Sequence, residues 1–167
     1  MHCQDVGDPN GLWIESYMAI TRAYGEGRVM AIGVTNFDMR LLQQLEATAT
    51  VLPHVVQNFA EPGYVDVDVR LWCSDHAAVY MPYASQRNIP NLPIEIRRAI
   101  RAAAASHGIS QHAVVTRFFL QTGAAVLPRS GNPAHLRENI MLADISLDDA
   151  EMHHLGWPFA SPRSDEL

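Results

Sequence analysis

Cysteine is scarce in this chain. Only Cys3 and Cys73 occur, without paired spacing, so neither a disulfide framework nor a zinc ribbon is supported, and a reducing, cytosolic setting fits best. Basic residues are also few. Against 18 acidic residues stand 12 basic ones, a net charge of -6, which argues against broad capture of nucleic acid or an anionic membrane surface while leaving a local basic pocket open. No run approaches the apolar length needed to cross a bilayer, and the opening MHCQDVGDPNG lacks the basic and apolar regions of a signal peptide. The terminal Ser164-Asp165-Glu166-Leu167 resembles an endoplasmic-reticulum retrieval signal, but with no entry signal to act alongside it reads as coincidence. Metal-binding spacing is missing too. His153 and His154 find no third ligand, and His54, His76, His107 and His112 form no His-x-x-x-His or Glu-paired motif, so no metal is expected.

What is present is 167 residues of 48% hydrophobic composition, enough for one sizeable core, and residues 1–167 are read as a single domain. Trp13, Tyr17, Ile20 and Tyr24 recur at helical spacing in residues 12–24, before a Gly-Glu-Gly stop. VMAIGV (29–34) reads as a short buried strand. Leu41, Leu42 and Leu45 mark a second helix, and HVVQNF (54–59) a second buried strand. Residues 66–73 form a weaker helix candidate, and AVYMP (78–82) a third strand. IEIRRAIRAAAAS predicts a helix ended by Gly108, and Ser110 caps the next, QHAVVTRFFLQ. A fourth strand is expected in AVL (125–127), a helix from Pro133 behind an Asn132 cap, and a short terminal helix capped by Ser146. This alternation predicts βα units with parallel strands covered by helices. Periodicity leaves open whether the sheet is open or closed.

The Arg129-Ser130-Gly131-Asn132 turn lies where a helix begins, and unpaired N–H groups there attract anions, phosphates above all. Taken alone, it reads first as an ordinary strand-to-helix turn whose Arg points into water. Polar residues also close the strands: Thr35-Asn36 after AIGV, Gln57 after HVV, and Tyr83 after AVYMP. In parallel α/β folds, ligands bind at that end of the strands.

These motifs, in order, resemble the C-terminal half of an aldo-keto reductase. GRVMAIGVTNF is similar to the family's Gly-Lys-x-x-x-Ile-Gly-Val-Ser-Asn-Phe signature, VVQNF to its Val-x-Gln strand and MPYAS to its Ala-Tyr-Ser-Pro segment. LPRSGNPAHLREN resembles its Ile-Pro-Lys/Arg-Ser…Glu-Asn motif and ISLDDAEM its Leu-Ser-x-x-Glu-Met helix, while Trp13 stands in what resembles its Trp-containing helix. The resemblance implies part of a (β/α)8 TIM barrel, about the last four βα units plus a C-terminal helix. It implies NADPH as cofactor and hydride transfer between carbonyl and alcohol. Thr35, Asn36 and Gln57 would hydrogen-bond the nicotinamide carboxamide, and Tyr83 would stack on the ring. Arg129 and Ser130 would hold the 2′-phosphate, and Glu138 and Asn139 would meet the adenine.

The departures are specific. Thr35 replaces the usual Ser and keeps its hydroxyl, whereas His135 stands where many members place an Arg against the 2′-phosphate, and Ala84 lacks the Ser hydroxyl beside the stacking Tyr. Of the family's Asp, Tyr, Lys and His tetrad, the first three have no counterpart. His2 is either the substrate-orienting His or a terminal residue without that role. The resemblance therefore implies a fragment not competent alone, acting on a small carbonyl substrate and disposed to self-associate or pair with a complementary half-barrel. A non-catalytic NADPH-binding or interaction module is the alternative, and an unrelated small α/β protein a third reading.

Overall fold

The computed structural model of the protein describes residues 12–159. His2, Cys3 and the terminal Ser-Asp-Glu-Leu lie outside the described residues. The described chain clusters into two compact units. The first takes in residues up to Asn58 together with Asp66–Met81, and the second Phe59–Val65 together with residues from Pro82 onward.

In the first unit, strands and helices alternate as α1 (Leu12–Gly25), β1 (Gly33–Thr35), α2 (Met39–Thr48), β2 (Val55–Phe59), α3 (Val67–Asp75) and β3 (Val79–Tyr83). The last residues of β2 and β3 belong to the second unit. Trp13 and Tyr17, one helical turn apart on α1, are both buried, and Trp13 meets Phe37 edge-on at 5.1 Å. Asp38 caps α2 by accepting from Leu41 N–H at 2.8 Å, and Leu42 and Leu45 bury its apolar face. The three strands form a parallel sheet in the order β1-β2-β3, with Val34 opposite Val56 and Thr35 opposite Gln57. Gly33 has a structural reason. A Cβ there would lie 2.6 Å from the Val55 carbonyl oxygen, so only glycine lets β1 approach β2.

The first strand is shorter than its apolar run. Val29 is 40% exposed and Met30 96%, and the ladder begins only at Gly33, where pairing with Val55 starts. Apolar character alone cannot make a strand without a partner.

The second unit is helical: α4 (Ile94–His107), α5 (Gln111–Gln121), α6 (Pro133–Met141) and α7 (Asp149–His154), with single 3₁₀ turns at Ile89–Asn91 and Leu142–Asp144. Gly108 ends α4 in the left-handed conformation at φ 65°, and Ser110 Oγ accepts from Ala113 N–H at 3.1 Å to start α5. Residues 113–119 of α5 are buried without interruption, as the centre of a packed unit requires. α4 packs on α5 and α7. His107, at the C-terminal end of α4, meets Glu151 of α7 at 2.9 Å.

Two expectations fail here. Residues 125–127 do not form the fourth strand: none of the three strands pairs with them, and without a ladder the run stays irregular. Ser146 is not the terminal cap. Asp148 caps α7 in a capping box with Glu151, because the stretch before it is pinned by Gln121, whose side chain accepts from Leu147 N–H at 2.9 Å and donates to its carbonyl at 2.7 Å.

One surface cluster in the first unit makes stability depend on pH. The His76 ring stacks on Trp72 at 4.2 Å, pairs with the Trp72 carbonyl through Nδ1 at 2.8 Å and meets Glu46 through Nε2 at 3.2 Å. Bonding to the Trp72 carbonyl, then to Glu46, raises the His76 pKa, while hydrogen bonds from Trp72 and then His76 lower that of Glu46. A raised histidine stabilises below its unfolded pKa and loses that contribution as pH rises through the folded value. A lowered carboxylate stabilises above its unfolded pKa and loses it as pH falls. Between the ordinary values of 4.5 and 6.5 both contributions are present. Urea midpoints are therefore expected to fall as pH rises from about 6 to about 8, a window spanning the ordinary histidine pKa, and His76→Gln should flatten that slope. An unchanged slope in the variant would remove His76 from the account.

Candidate functional site

At the end of β1 the backbone turns sharply: Asn36 adopts φ 59°, in the left-handed region that non-glycine residues rarely enter. Ala84, directly after β3, does the same at φ 58°. Strained residues at two strand ends mark positions where the surrounding structure imposes the conformation, as binding sites often do.

In the first unit, Thr35 and Gln57 stand opposite each other in the ladder, and Asn36 N–H donates to the Gln57 carbonyl at 3.0 Å. Three sequence-predicted residues are thus brought together. Thr35 is 5% exposed and its hydroxyl is buried with no hydrogen-bond partner among the described residues. Gln57 is half-buried and its amide nitrogen lies 3.4 Å from the Met81 sulfur, a weak contact that leaves the amide available.

Sequence reasoning missed Asn58. Its Oδ1 accepts from Phe37 N–H at 3.0 Å, and its Nδ2 donates to the Phe37 carbonyl at 2.7 Å and to Asp66 Oδ2 at 2.9 Å. Both backbone groups of Phe37 are so fixed, which holds the turn carrying Thr35 and Asn36. Tyr80 O–H also donates to Asp66 at 3.0 Å, and the Arg70 guanidinium lies 4.8 Å from the Tyr80 ring centroid. Burial drives the pKa values of this group: Arg70 falls to about 10, Cys73 rises to about 12 and Tyr80 rises. The signal for Asn58 was in the strand period. It shares the buried face of β2 with Val56, and a polar residue on that face must find partners.

In the second unit, Tyr83 and Arg129 line one cleft of about 590 Å³. Gln86 shapes its wall by donating to the His112 carbonyl at 3.0 Å and to the Thr116 hydroxyl. Tyr83 meets Phe59 edge-on at 6.1 Å, which sets its ring plane. Arg129 is exposed and enters no ion pair or hydrogen bond among the described residues. Ser130 Oγ accepts from Asn132 N–H at 3.1 Å, and Asn132 caps α6 with Pro133 at its first position. Glu138 is already engaged, its two oxygens accepting from Ser110 N–H and Ser110 Oγ at 2.7 Å each. Asn139 is half-buried beside it. His2 lies outside the described residues. Among those described, no group of three His, Cys, Asp or Glu side chains could hold a metal, and no helix is long and apolar enough to cross a membrane.

The aldo/keto reductase family model matches residues 1–156. The chain belongs to the aldo/keto reductase family. It is 26% identical over 143 residues to the 9,11-endoperoxide prostaglandin H2 reductase of Trypanosoma cruzi, covering 86% of this chain and 50% of that protein. It is 29% identical over 153 residues to the morphine 6-dehydrogenase of Pseudomonas putida, covering 85% of this chain and 51% of the relative. The crystal structure of a Brucella melitensis aldo/keto reductase, 25% identical, superposes at a TM-score of 0.74 over 86% of this chain and 54% of its own. A variant of Gox0644 in complex with NADPH, 26% identical, superposes at 0.76 over 92% and 55%. The chain spans about half the length of the relatives it matches. Its α/β architecture, with a three-stranded parallel sheet, matches part of the family's TIM barrel.

In the first unit the Thr35 hydroxyl has no hydrogen-bond partner among the described residues, and in the second the Arg129 guanidinium lines its cleft without an ion pair; a nicotinamide nucleotide carries groups that could meet each.

Proposed function

We propose that this chain forms the cofactor-binding part of an NADPH-dependent aldo-keto reductase that interconverts carbonyls and alcohols, and that it is not competent for that chemistry alone. The observation that carries the reading is one cleft lined by an aromatic ring at the end of β3 and an unpaired guanidinium in the turn before α6. The reductase and dehydrogenase names of the relatives, and the NADPH complex of Gox0644, support it.

By the family resemblance Thr35, Asn36 and Gln57 would hold the carboxamide and fix which ring face is presented, and Tyr83 would stack on the ring. Arg129 and Ser130 hold the 2′-phosphate, and Asn139 meets the adenine. Glu138 does so with its remaining lone pairs, since Ser110 occupies others. NADPH supplies the hydride. His2 orients the substrate carbonyl. The chain contains no lysine, all 12 basic residues being arginine, so the family's pKa-tuning Lys cannot come from these residues. The second reading is an NADPH-binding module that stays inactive even when a complete barrel is assembled. A cytoplasmic setting goes with both.

The test is phosphate discrimination. A charge-assisted hydrogen bond contributes about 1.5–3 kcal/mol, so Arg129→Glu should weaken NADPH binding by roughly ten- to a hundredfold and leave NADH binding nearly unchanged. Fluorescence titration of both nucleotides reads this. Equal losses would show that Arg129 does not contact the 2′-phosphate.

A further inference from the structure

A second cleft in the helical unit, about 780 Å³, lies where α4 faces the start of α5. Ile89, Ala104 and Ile109 give it apolar walls, and Arg97 and Arg101, one helical turn apart on α4, give it charge. His112 lines this cleft and the Tyr83–Arg129 cleft alike. The volume suits a small organic molecule.

Neither arginine side chain has an ion-pair or hydrogen-bond partner among the described residues, and the Arg97 Nε atom is buried without an acceptor. This happens in a chain with 18 acidic residues. The carboxylate that does reach a lining residue, Glu138, is held by Ser110 N–H and Oγ. A buried guanidinium N–H without an acceptor, as at Arg97, is costly, and Arg101 adds a second guanidinium to the same cleft, the kind of fork that binds a phosphate.

We propose that this cleft binds a phosphate group carried on a small, partly apolar molecule, with Arg97 and Arg101 as its ligands. A dianion balances two guanidinium charges, whereas a single carboxylate leaves one uncompensated. Two sources share this chemistry: a phosphate of the nicotinamide nucleotide reaching past His112, or a separate phosphate ester. The site stands whether or not Tyr83 and Arg129 hold the nucleotide.

The experiment is calorimetric titration of the full chain with phenyl phosphate at constant ionic strength, with benzoate as the monoanionic comparison. Saturable binding is expected, weaker for benzoate, and reduced about tenfold or more by Arg97→Gln and by Arg101→Gln. Arg98→Gln, exposed on the same helix but outside the cleft lining, should leave it unchanged. Arg101 is exposed, so its variant keeps the test open if Arg97→Gln fails to fold, and Arg101→Lys should retain part of the affinity. NADPH titration of Arg101→Gln then separates the sources. A parallel loss identifies a nucleotide phosphate as the ligand, and unchanged NADPH binding identifies a separate ester. Absence of saturable binding, indifference to both arginines, or an equal loss in Arg98→Gln would overturn the proposal.

Discussion

Purified alone, the chain is expected to bind NADPH and to leave every aldehyde and ketone of a test panel unreduced. Hydride delivery to a carbonyl needs a proton donor at the developing alkoxide, worth about 10²–10⁴ in rate; in the proposed reading none of these residues supplies the family's Tyr, and the chain has no lysine to tune one. Tyr17, Tyr80 and Tyr83 do not replace it. Burial raises the pKa of Tyr17 to about 12 and also raises that of Tyr80, and Tyr83 is committed to stacking in the proposed site. Co-expression with the N-terminal half of a family member should restore turnover, and Thr35→Ala in the complemented enzyme should reduce it. The surface fits such pairing. Met30 is 96% exposed and Ile140 77%, and α6 has no buried residue at all. A chain that forms neither self-associated species nor a complex with that half, by mass measurement in solution, would count against pairing. Unaided reduction of a carbonyl would overturn the account, because the acid would have to be a residue given another role here. Full complementation without activity would leave the non-catalytic module as the function.

The candidate residues could be named from sequence because they stand in short motifs at strand ends, where residue type and backbone position are tied together. The helices were legible for a similar reason. Their stops at Gly25 and Gly108 and caps at Ser110 and Asn132 are local chemistry, and local chemistry survives folding. What sequence could not settle depends on partners. VMAIGV looks like a strand throughout, yet Val29 and Met30 stay exposed because Val55 begins the ladder at Gly33. Residues 125–127 look equally strand-like and pair with nothing. Glu138 could be placed in the motif, but its grip on Ser110, from a helix far away in sequence, appears only in three dimensions. Asn58 hides for the same reason, its three partners lying in two other segments.

Asn58→Leu is expected to destabilise the protein by roughly 3 kcal/mol or more, the largest stability loss from any single polar side chain named here. The substitution keeps approximate shape but removes one acceptor and two donors at once, and each buried group left unpaired costs about 1–3 kcal/mol. Phe37 would lose partners for both its N–H and its carbonyl, and Asp66 would keep only the Tyr80 hydroxyl of the two donors now on Oδ2. For a chain of this size the loss corresponds to a melting temperature lower by about 6–12 °C. Asn58→Asp separates the effects. It keeps an acceptor for Phe37 N–H, but it replaces a donor 2.9 Å from Asp66 with a second carboxylate, so it should destabilise at neutral pH despite being nearly isosteric. The turn that Asn58 holds carries Thr35 and Asn36, the latter at φ 59°, so NADPH affinity should fall in Asn58→Leu even below its melting range. Thermal melts by circular dichroism and NADPH titration at low temperature read the two consequences separately. A Tm within about 2 °C of the parent, which is under ~1 kcal/mol, would show that Asn58 does not hold the turn. A full loss of stability with unchanged NADPH affinity would uncouple that turn from the cofactor and remove Thr35 and Asn36 from the proposed site.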